Sequence, residues 1–235
     1  MTRPDRLAQL PKGRLLAEFS LWSADLIRLA DDIARVDSFV DLYHIDVSDG
    51  HFSPALLFFP DQIARVRQAT ETAIHVHLMV EDPILLSQID QFAEAGADVI
   101  SIHLENAALR DAGLDRIDSL GLKAGMVLKV DTPVAGVEPY LPRLSFLTLL
   151  GTAIGVKGQG LDPLATSRLA QAAGLIAKAG RTGEIRLAAD GGIREHTVPL
   201  LRAAGAETVV LGSLAFGAPD LAARIGWIHG LQTAA

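Results

Sequence analysis

From Leu15 onward, short apolar runs alternate with longer stretches in which apolar residues recur at helical spacing. The runs fall at about 15–20, 40–47, 73–79, 98–103, 123–128, 145–150, 185–189 and 207–211. Each is short enough for a strand and bounded by turn-forming residues. The intervening pattern predicts helices, for example over 24–36, 61–70, 83–95, 163–179 and 197–204. Strand and helix in strict alternation give a parallel sheet with crossover helices. Eight such units closing on themselves make a (β/α)8 TIM barrel, whose usual size is about 250 residues. A doubly wound open sheet is the competing arrangement. Two segments echo each other, Ala95-Gly96-Ala97-Asp98-Val99-Ile100 and Ala204-Gly205-Ala206-Glu207-Thr208-Val209, each reading as helix end, glycine, then strand. Glycine suits the left-handed residue that closes a helix. No linker or low-complexity segment interrupts the pattern, so residues 15–235 read as one α/β domain. The opening 1–14, with Pro4, Pro11 and several charges, reads as a short extension that either moves freely or covers the barrel bottom.

Composition narrows the partners. Apolar residues make up 49% of the chain and charged ones 21%, as in a well-cored soluble globule. A net charge of -7 argues against a nucleic-acid surface, while leaving room for a local basic pocket that takes a small anion. There is no cysteine, so any metal must be held by histidine and carboxylate. No apolar run reaches the roughly 18 residues of a membrane span, and 1–14 lacks the apolar core of a secretory signal. The expectation is a cytoplasmic protein that binds neither membrane nor nucleic acid.

Candidate chemistry begins in the second run. Side chains on a strand alternate faces, so His44, Asp46 and Ser48 share one face while Tyr43, Ile45 and Val47 share the other. An imidazole and a carboxylate thus point the same way, either as a buried hydrogen-bonded pair or as ligands for a divalent metal. Asp49-Gly50 then turns the chain off the sheet. Five of the seven histidines (His44, His51, His75, His77, His103) fall at or just past the ends of the second, third and fourth runs. In a barrel those ends converge on the face that carries active sites. His77 is the better-placed ligand, His75 reads as a hydrogen-bonded interior residue, and His103 with Glu105 reads as a supporting or barrel-filling polar pair. The seventh run ends in Asp190-Gly191-Gly192. Together His44, Asp46, His77 and Asp190 suit zinc, iron, manganese or cobalt. Glycines cluster after the sixth, seventh and eighth runs, at Gly155-Val156-Lys157-Gly158-Gln159-Gly160, Gly191-Gly192 and Gly212-Ser213. Backbone amides freed by glycine in such successive loops favour a phosphate cradle.

Ser20-Leu21-Trp22-Ser23-Ala24-Asp25, His44-Ile45-Asp46, Asp49-Gly50-His51-Phe52, His77-Leu78-Met79-Val80, Gly158-Gln159, Asp190-Gly191-Gly192 and Gly212-Ser213 occur in this order. Over about residues 18–217 they resemble the ribulose-phosphate 3-epimerases and their ketose-phosphate relatives. The resemblance implies one divalent metal on His44, Asp46, His77 and Asp190, with Asp46 and Asp190 as the acid/base pair. It implies that Ser20 and His77 touch substrate. Gly155, Val156, Lys157, Gly158, Gly191, Gly192, Gly212 and Ser213 would surround its phosphate. The implied reaction interconverts ribulose 5-phosphate and xylulose 5-phosphate, or a related four- to six-carbon ketose phosphate, and the implied assembly is a homo-oligomer. Inverting a carbon beside a ketone requires taking a proton on one face and returning one on the other, which suits two carboxylates on opposite sides. A metal contacting the carbonyl would stabilise the enediolate between the half-reactions. The chain departs from the family where Ser48 and Leu150-Gly151 replace methionine-containing positions, where Ala55 replaces asparagine, and in Ala153–Gly158. These changes leave the particular sugar open. Two rival readings remain: a barrel aldolase using Lys129 as its Schiff-base lysine, and a sugar-phosphate binding protein without catalysis.

Overall fold

In the computed structural model, which describes residues 4–232, the apolar runs fold as β1 (Leu16–Ser20), β2 (Leu42–Ser48), β3 (Ala73–Met79), β4 (Val99–His103), β5 (Lys123–Leu128), β6 (Phe146–Leu150), β7 (Arg186–Asp190) and β8 (Thr208–Leu211). Each strand pairs in parallel with the next, and β8 returns to β1 through Leu16↔Thr208 and Phe19↔Leu211. The sheet is therefore a closed (β/α)8 barrel, and the open-sheet alternative is excluded.

The helices on its outside are α1 (Leu29–Val36), α2 (Pro60–Ala69), α3 (Asp82–Ala95), α4 (Arg110–Ser119), α5 (Ala165–Lys178), α6 (Val198–Ala203), α7 (Ser213–Phe216) and α8 (Leu221–Gly230). α3 shows why such segments fold as they do. Pro83 sits in its first turn, where the missing N–H costs nothing. Leu85, Ile89 and Phe92 make one buried stripe against the outward faces of the strands. Gly96 ends the helix at φ 105, and a Cβ there would lie 2.6 Å from Arg67 Cγ. Its echo Gly205 has φ 106, which gives the repeated glycine pattern its physical reason. Between β5 and β6 the chain departs from helical expectation: 134–143 winds as 3-10 turns, because Pro139 and Pro142 cannot donate to an α-helical ladder. The first helix is likewise shorter than its pattern over 24–36: a turn occupies 24–28 and α1 begins only at Leu29.

The barrel interior is layered by the period-two alternation of its strands. At the bottom, Leu16, Leu42, Ala73, Val99 and Phe146 form an apolar layer, with Leu7 and Leu10 packed against it. Arg6 pairs with Glu71 at 2.7 Å and Asp98 at 3.2 Å, holding that segment on the barrel floor. Two residues further along the same strands come Glu18, His44, His75, Ser101 and Thr148, all buried. Two more bring Ser20, Asp46, His77, His103 and Leu150 to the carboxyl ends. Polarity thus rises from floor to rim along β1 to β4, while β6 ends in the apolar Leu150. Among the described residues no helix is long and apolar enough to cross a membrane.

Gly125 makes room within this interior. A Cβ there would lie 1.9 Å from Ser101 Oγ and 3.2 Å from Phe146 Cβ. Gly125→Ala is expected to destabilise the fold by about 1–3 kcal/mol through overpacking, read from the urea unfolding midpoint. An unchanged midpoint would mean the interior shifts to admit the methyl.

Candidate metal centre and cavity

Strand register assembles the site. Parallel pairing sets Ser20 beside His44, Asp46 beside His77, and Leu150 beside Asp190. His44, Asp46, His77 and Asp190 come from three strand ends, and one ligand-capable atom from each lies within 4.8 Å of the others. His44 Nε2 is 3.3 Å from Asp46 Oδ1 and 3.9 Å from Asp190 Oδ2. His77 Nδ1 is 3.6 Å from Asp46 Oδ1 and 3.8 Å from Asp190 Oδ2. These two ring nitrogens are buried and have no hydrogen-bond partner. An unsatisfied buried polar group costs about 1–3 kcal/mol, and two of them aimed at the same pair of carboxylates fit a cation. The donor set, two imidazoles and two carboxylates without thiolate, suits a divalent ion of the zinc, iron, manganese or cobalt type.

The two carboxylates have opposite proton affinities. Burial works against ionisation of Asp46, but His44 and then His77 outweigh it and hold the group well below the ordinary carboxylate range. Ser20 Oγ also donates to Asp46 Oδ2 at 2.6 Å. Asp190 is pushed up to about 6, chiefly by burial, with the Asp46 charge adding to the rise and His44 and His77 opposing it. The pair titrates as one coupled system. His44 holds its proton well above the usual imidazole range: burial opposes the charge, and the Asp46 and Glu18 carboxylates overcome it. A metal ion on this ring would take the place of that proton.

Beside the centre lies a cavity of about 360 Å³. Ser20, Asp46, His77 and Asp190 line it together with Gly155–Gly158, Gly191, Gly192, Gly212 and Ser213. His44 stands behind them, 1% exposed, and reaches the centre without facing the cavity. Gly191 (φ 87) and Gly192 (φ 69) are left-handed, and added Cβ atoms would lie 2.3 Å from Thr152 Oγ1 and 2.8 Å from Leu161 Cα. Only glycine lets the loop after β7 run this close to the loop after β6.

Other residues resolve differently. Lys157 Nζ donates to the Trp22 carbonyl at 2.6 Å and lies 4.5 Å from the centre of its indole, bridging the loop after β6 to the turn after β1. Partial burial lowers the Lys157 pKa, and the Asp46 charge counters it. Lys129 does not line the cavity; its Nζ sits 3.8 Å over the Phe52 ring, so the Schiff-base alternative has no support there. Ser48 stays out of the cavity as well, its hydroxyl donating to Ala55 O at 2.7 Å. His75 is a hydrogen-bonded interior residue, and His103 stands between His77 and Glu105, 2.8 Å from each. His51 is exposed.

Trp22, Met79, Thr152 and Arg194 are among the lining residues to which the sequence assigned no role. Trp22 and Met79 lie two positions beyond Ser20 and His77, a spacing that carries the signal for them. Arg194 follows the glycine pair in a loop, where no periodicity marks it. Glu18 was also passed over, although an acid two residues before Ser20 in an apolar run is conspicuous.

The barrel and its centre define a class: an α/β-barrel protein with a histidine–carboxylate site, fit for a divalent ion, beside a glycine-rimmed cavity. Residues 16–216 match the family model described as Ribulose-phosphate 3 epimerase family. The chain belongs to that family. It is 34% identical over 212 residues to a ribulose-phosphate 3-epimerase of Bacillus subtilis (strain 168), covering 90% of this chain and 96% of that one. It is 36% identical over 203 residues to a ribulose-phosphate 3-epimerase of Serratia marcescens, covering 86% of this chain and 95% of the relative. Among solved structures it is similar to a 3-keto-L-gulonate-6-phosphate decarboxylase from Vibrio cholerae, with TM-score 0.67 and 15% identity over 92% of this chain and 99% of that one. It is also similar to an orotidine 5'-phosphate decarboxylase from Pyrococcus horikoshii, with TM-score 0.65 and 15% identity over 91% and 97%. At that identity the two structures bear on the fold alone.

Because a proton on Asp190 competes with a bound cation, metal affinity is expected to fall as pH drops below about 6. Displacing the Asp190 proton adds on the order of tenfold per pH unit to the slope that the His44 proton already gives. Calorimetric titration of metal-free protein with zinc at several pH values reads the slope, and a slope that does not steepen below about 6 would take Asp190 out of the ligand set.

Proposed function

We propose that this chain is a metal-dependent ketose-phosphate 3-epimerase, an isomerase that inverts the carbon next to the carbonyl of a ketose phosphate. Its family membership supports that activity, and ribulose 5-phosphate with xylulose 5-phosphate is the first pair to test. One observation carries the mechanism: Asp46 and Asp190 face the same cavity with opposite proton affinities. Such a pair is what a two-sided proton exchange requires. In one direction Asp46, ionised and steadied by the Ser20 hydroxyl, removes the proton from the carbon, and Asp190 delivers one to the opposite face. The reverse reaction exchanges their roles.

His44, Asp46, His77 and Asp190 would hold the metal. A divalent ion bound there would draw charge from the carbonyl and neighbouring hydroxyl oxygens as a Lewis acid. Ser20 and His77 border the reacting end of the substrate. Gly155, Val156, Lys157, Gly158, Gly191, Gly192, Gly212 and Ser213 form the phosphate end, where backbone N–H groups fix the sugar's position. Residues 15–235 act as the catalytic domain, with 1–14 as its extension.

Solvent-deuterium exchange followed by NMR tests the proposal, using protein loaded with zinc, manganese or iron and a panel of four- to six-carbon ketose phosphates. Deuterium at the carbon beside the carbonyl, with the epimer appearing, is the expected result and identifies the sugar. Binding without exchange for every sugar and metal would replace the epimerase with a binding protein. Asp190→Asn is expected to lower kcat at least about 10²- to 10⁴-fold, the usual contribution of a positioned acid or base, with its circular dichroism unchanged. Wild-type turnover in that variant would remove Asp190 from the proton exchange.

A further inference from the structure

We infer that Glu18 and Glu105, neither of which lines the cavity, are positioning residues that decide which nitrogen of each ligand histidine stays bare. The inference rests on the reading that His44, Asp46, His77 and Asp190 hold a divalent ion. A histidine ligates through an unprotonated ring nitrogen, and the hydrogen bond behind the ring selects it.

The two rings are turned in opposite senses. His44 presents Nε2 to the centre and Nδ1 to Glu18 Oε1, at 2.7 Å. A carboxylate can only accept, so Nδ1 carries the proton and Nε2 of the neutral ring is bare. His77 presents Nδ1 to the centre and places Nε2 2.8 Å from His103 Nε2. Two imidazole nitrogens facing each other need one donor and one acceptor. Glu105 decides which: its Oε2, 2.8 Å from His103 Nδ1, takes that proton. The neutral His103 ring then has a bare Nε2, His77 must donate to it, and His77 Nδ1 is left bare toward Asp46 and Asp190. The outcome coincides with the two buried nitrogens that have no partner, His44 Nε2 and His77 Nδ1.

Both carboxylates are themselves held. Glu105 Oε1 accepts the Lys129 backbone N–H at 3.0 Å and the Thr132 hydroxyl. The Phe52 ring covers His103 with centroids 4.7 Å apart. Glu18, 0% exposed, accepts from His75 Nδ1 on the same oxygen that takes His44, at 2.7 Å in each case. His75 Nε2 in turn accepts from Ser101 Oγ at 2.6 Å, in the space Gly125 leaves open. Glu18, His44 and His75 also meet the distance limits of a metal cluster. Their contacts, however, are hydrogen-bond lengths converging on one carboxylate oxygen, with His44 Nε2 aimed the other way. This trio is the bed of the centre, not a second ion site.

Glutamine in place of either glutamate can accept or donate and no longer dictates the proton. Zinc affinity, measured by chelator competition, is expected to weaken 10- to 100-fold in Glu18→Gln and in Glu105→Gln, the range for loss of such supporting groups. Unfolding midpoints serve as the fold control. Independently, long-range nitrogen–proton NMR of ¹⁵N-histidine-labelled, zinc-loaded wild-type protein should show His44 protonated on Nδ1 only and His77 on Nε2 only, with the other nitrogen of each shifted from its position in the metal-free protein. The opposite pattern overturns the inference even if neither variant folds. Unchanged zinc affinity in both folded variants overturns it while leaving the quartet intact as a metal site. Zinc that shifts neither ring would instead bring down the quartet, and this inference with it.

Discussion

A polar group buried inside a closed barrel has little water to turn to, and the upper half of this barrel holds many such groups. Closing eight parallel strands points every second side chain inward. Here the inward positions run from a leucine, valine and phenylalanine floor, through glutamate, histidine and serine, to a rim of serine, aspartate and histidine. Each of those polar groups needs a partner within its own layer or in a neighbouring one. Nearly all find one at 2.6 to 2.8 Å. The exceptions at the rim are the two ring nitrogens that face Asp46 and Asp190. Beneath them Glu18 Oε2 and Thr148 Oγ1 also have no partner, but only the two ring nitrogens face a pair of carboxylates, which leaves the centre fit for a cation.

The same confinement separates the two carboxylates. Both pay for burial, but Asp46 lies close to His44 and His77 and receives the Ser20 hydroxyl, whereas Asp190 bears the remaining cost and the repulsion of Asp46. One group stays ionised while the other keeps a proton into the weakly acidic range. Two residues of identical chemistry acquire different proton affinities from position alone.

Under the proposed function, substrate selection falls to the loops. A chain with net charge -7 and two aspartates at its site would repel a phosphate, so attraction must be local. Glycine-rich loops after β6, β7 and β8 bring backbone dipoles to one side of the cavity, and Lys157 and Arg194 add cationic side chains to its wall. Lys157 also ties the loop after β6 to Trp22, so the strand that carries Ser20 and the loop that borders the cavity are mechanically joined.

Much of this was legible in the sequence because strand alternation and turn chemistry are local. The eight runs, the shared face of His44 and Asp46, the glycine loops and the family motifs follow from residue order. Local rules also show their limits there: eight (β/α) units imply a helix between β5 and β6, and Pro139 and Pro142 make it 3-10 turns instead. What the sequence could not decide is which distant groups meet. Glu18 and His75 are 57 residues apart, and only the closure of β1 onto β2 and β3 brings them to one hydrogen bond. Lys129 has the position of a catalytic lysine along its strand, yet Phe52 takes it out of the cavity. Ser48 lies on the reactive face by period, yet the Ala55 carbonyl captures its hydroxyl. The sequence by itself determined the barrel and the residue types at its rim, since both depend on neighbours a few positions away. Proton positions, the opposed affinities of Asp46 and Asp190, and the orientation of each imidazole were decided by tertiary structure, because they depend on the fields and hydrogen bonds of groups that only folding brings together.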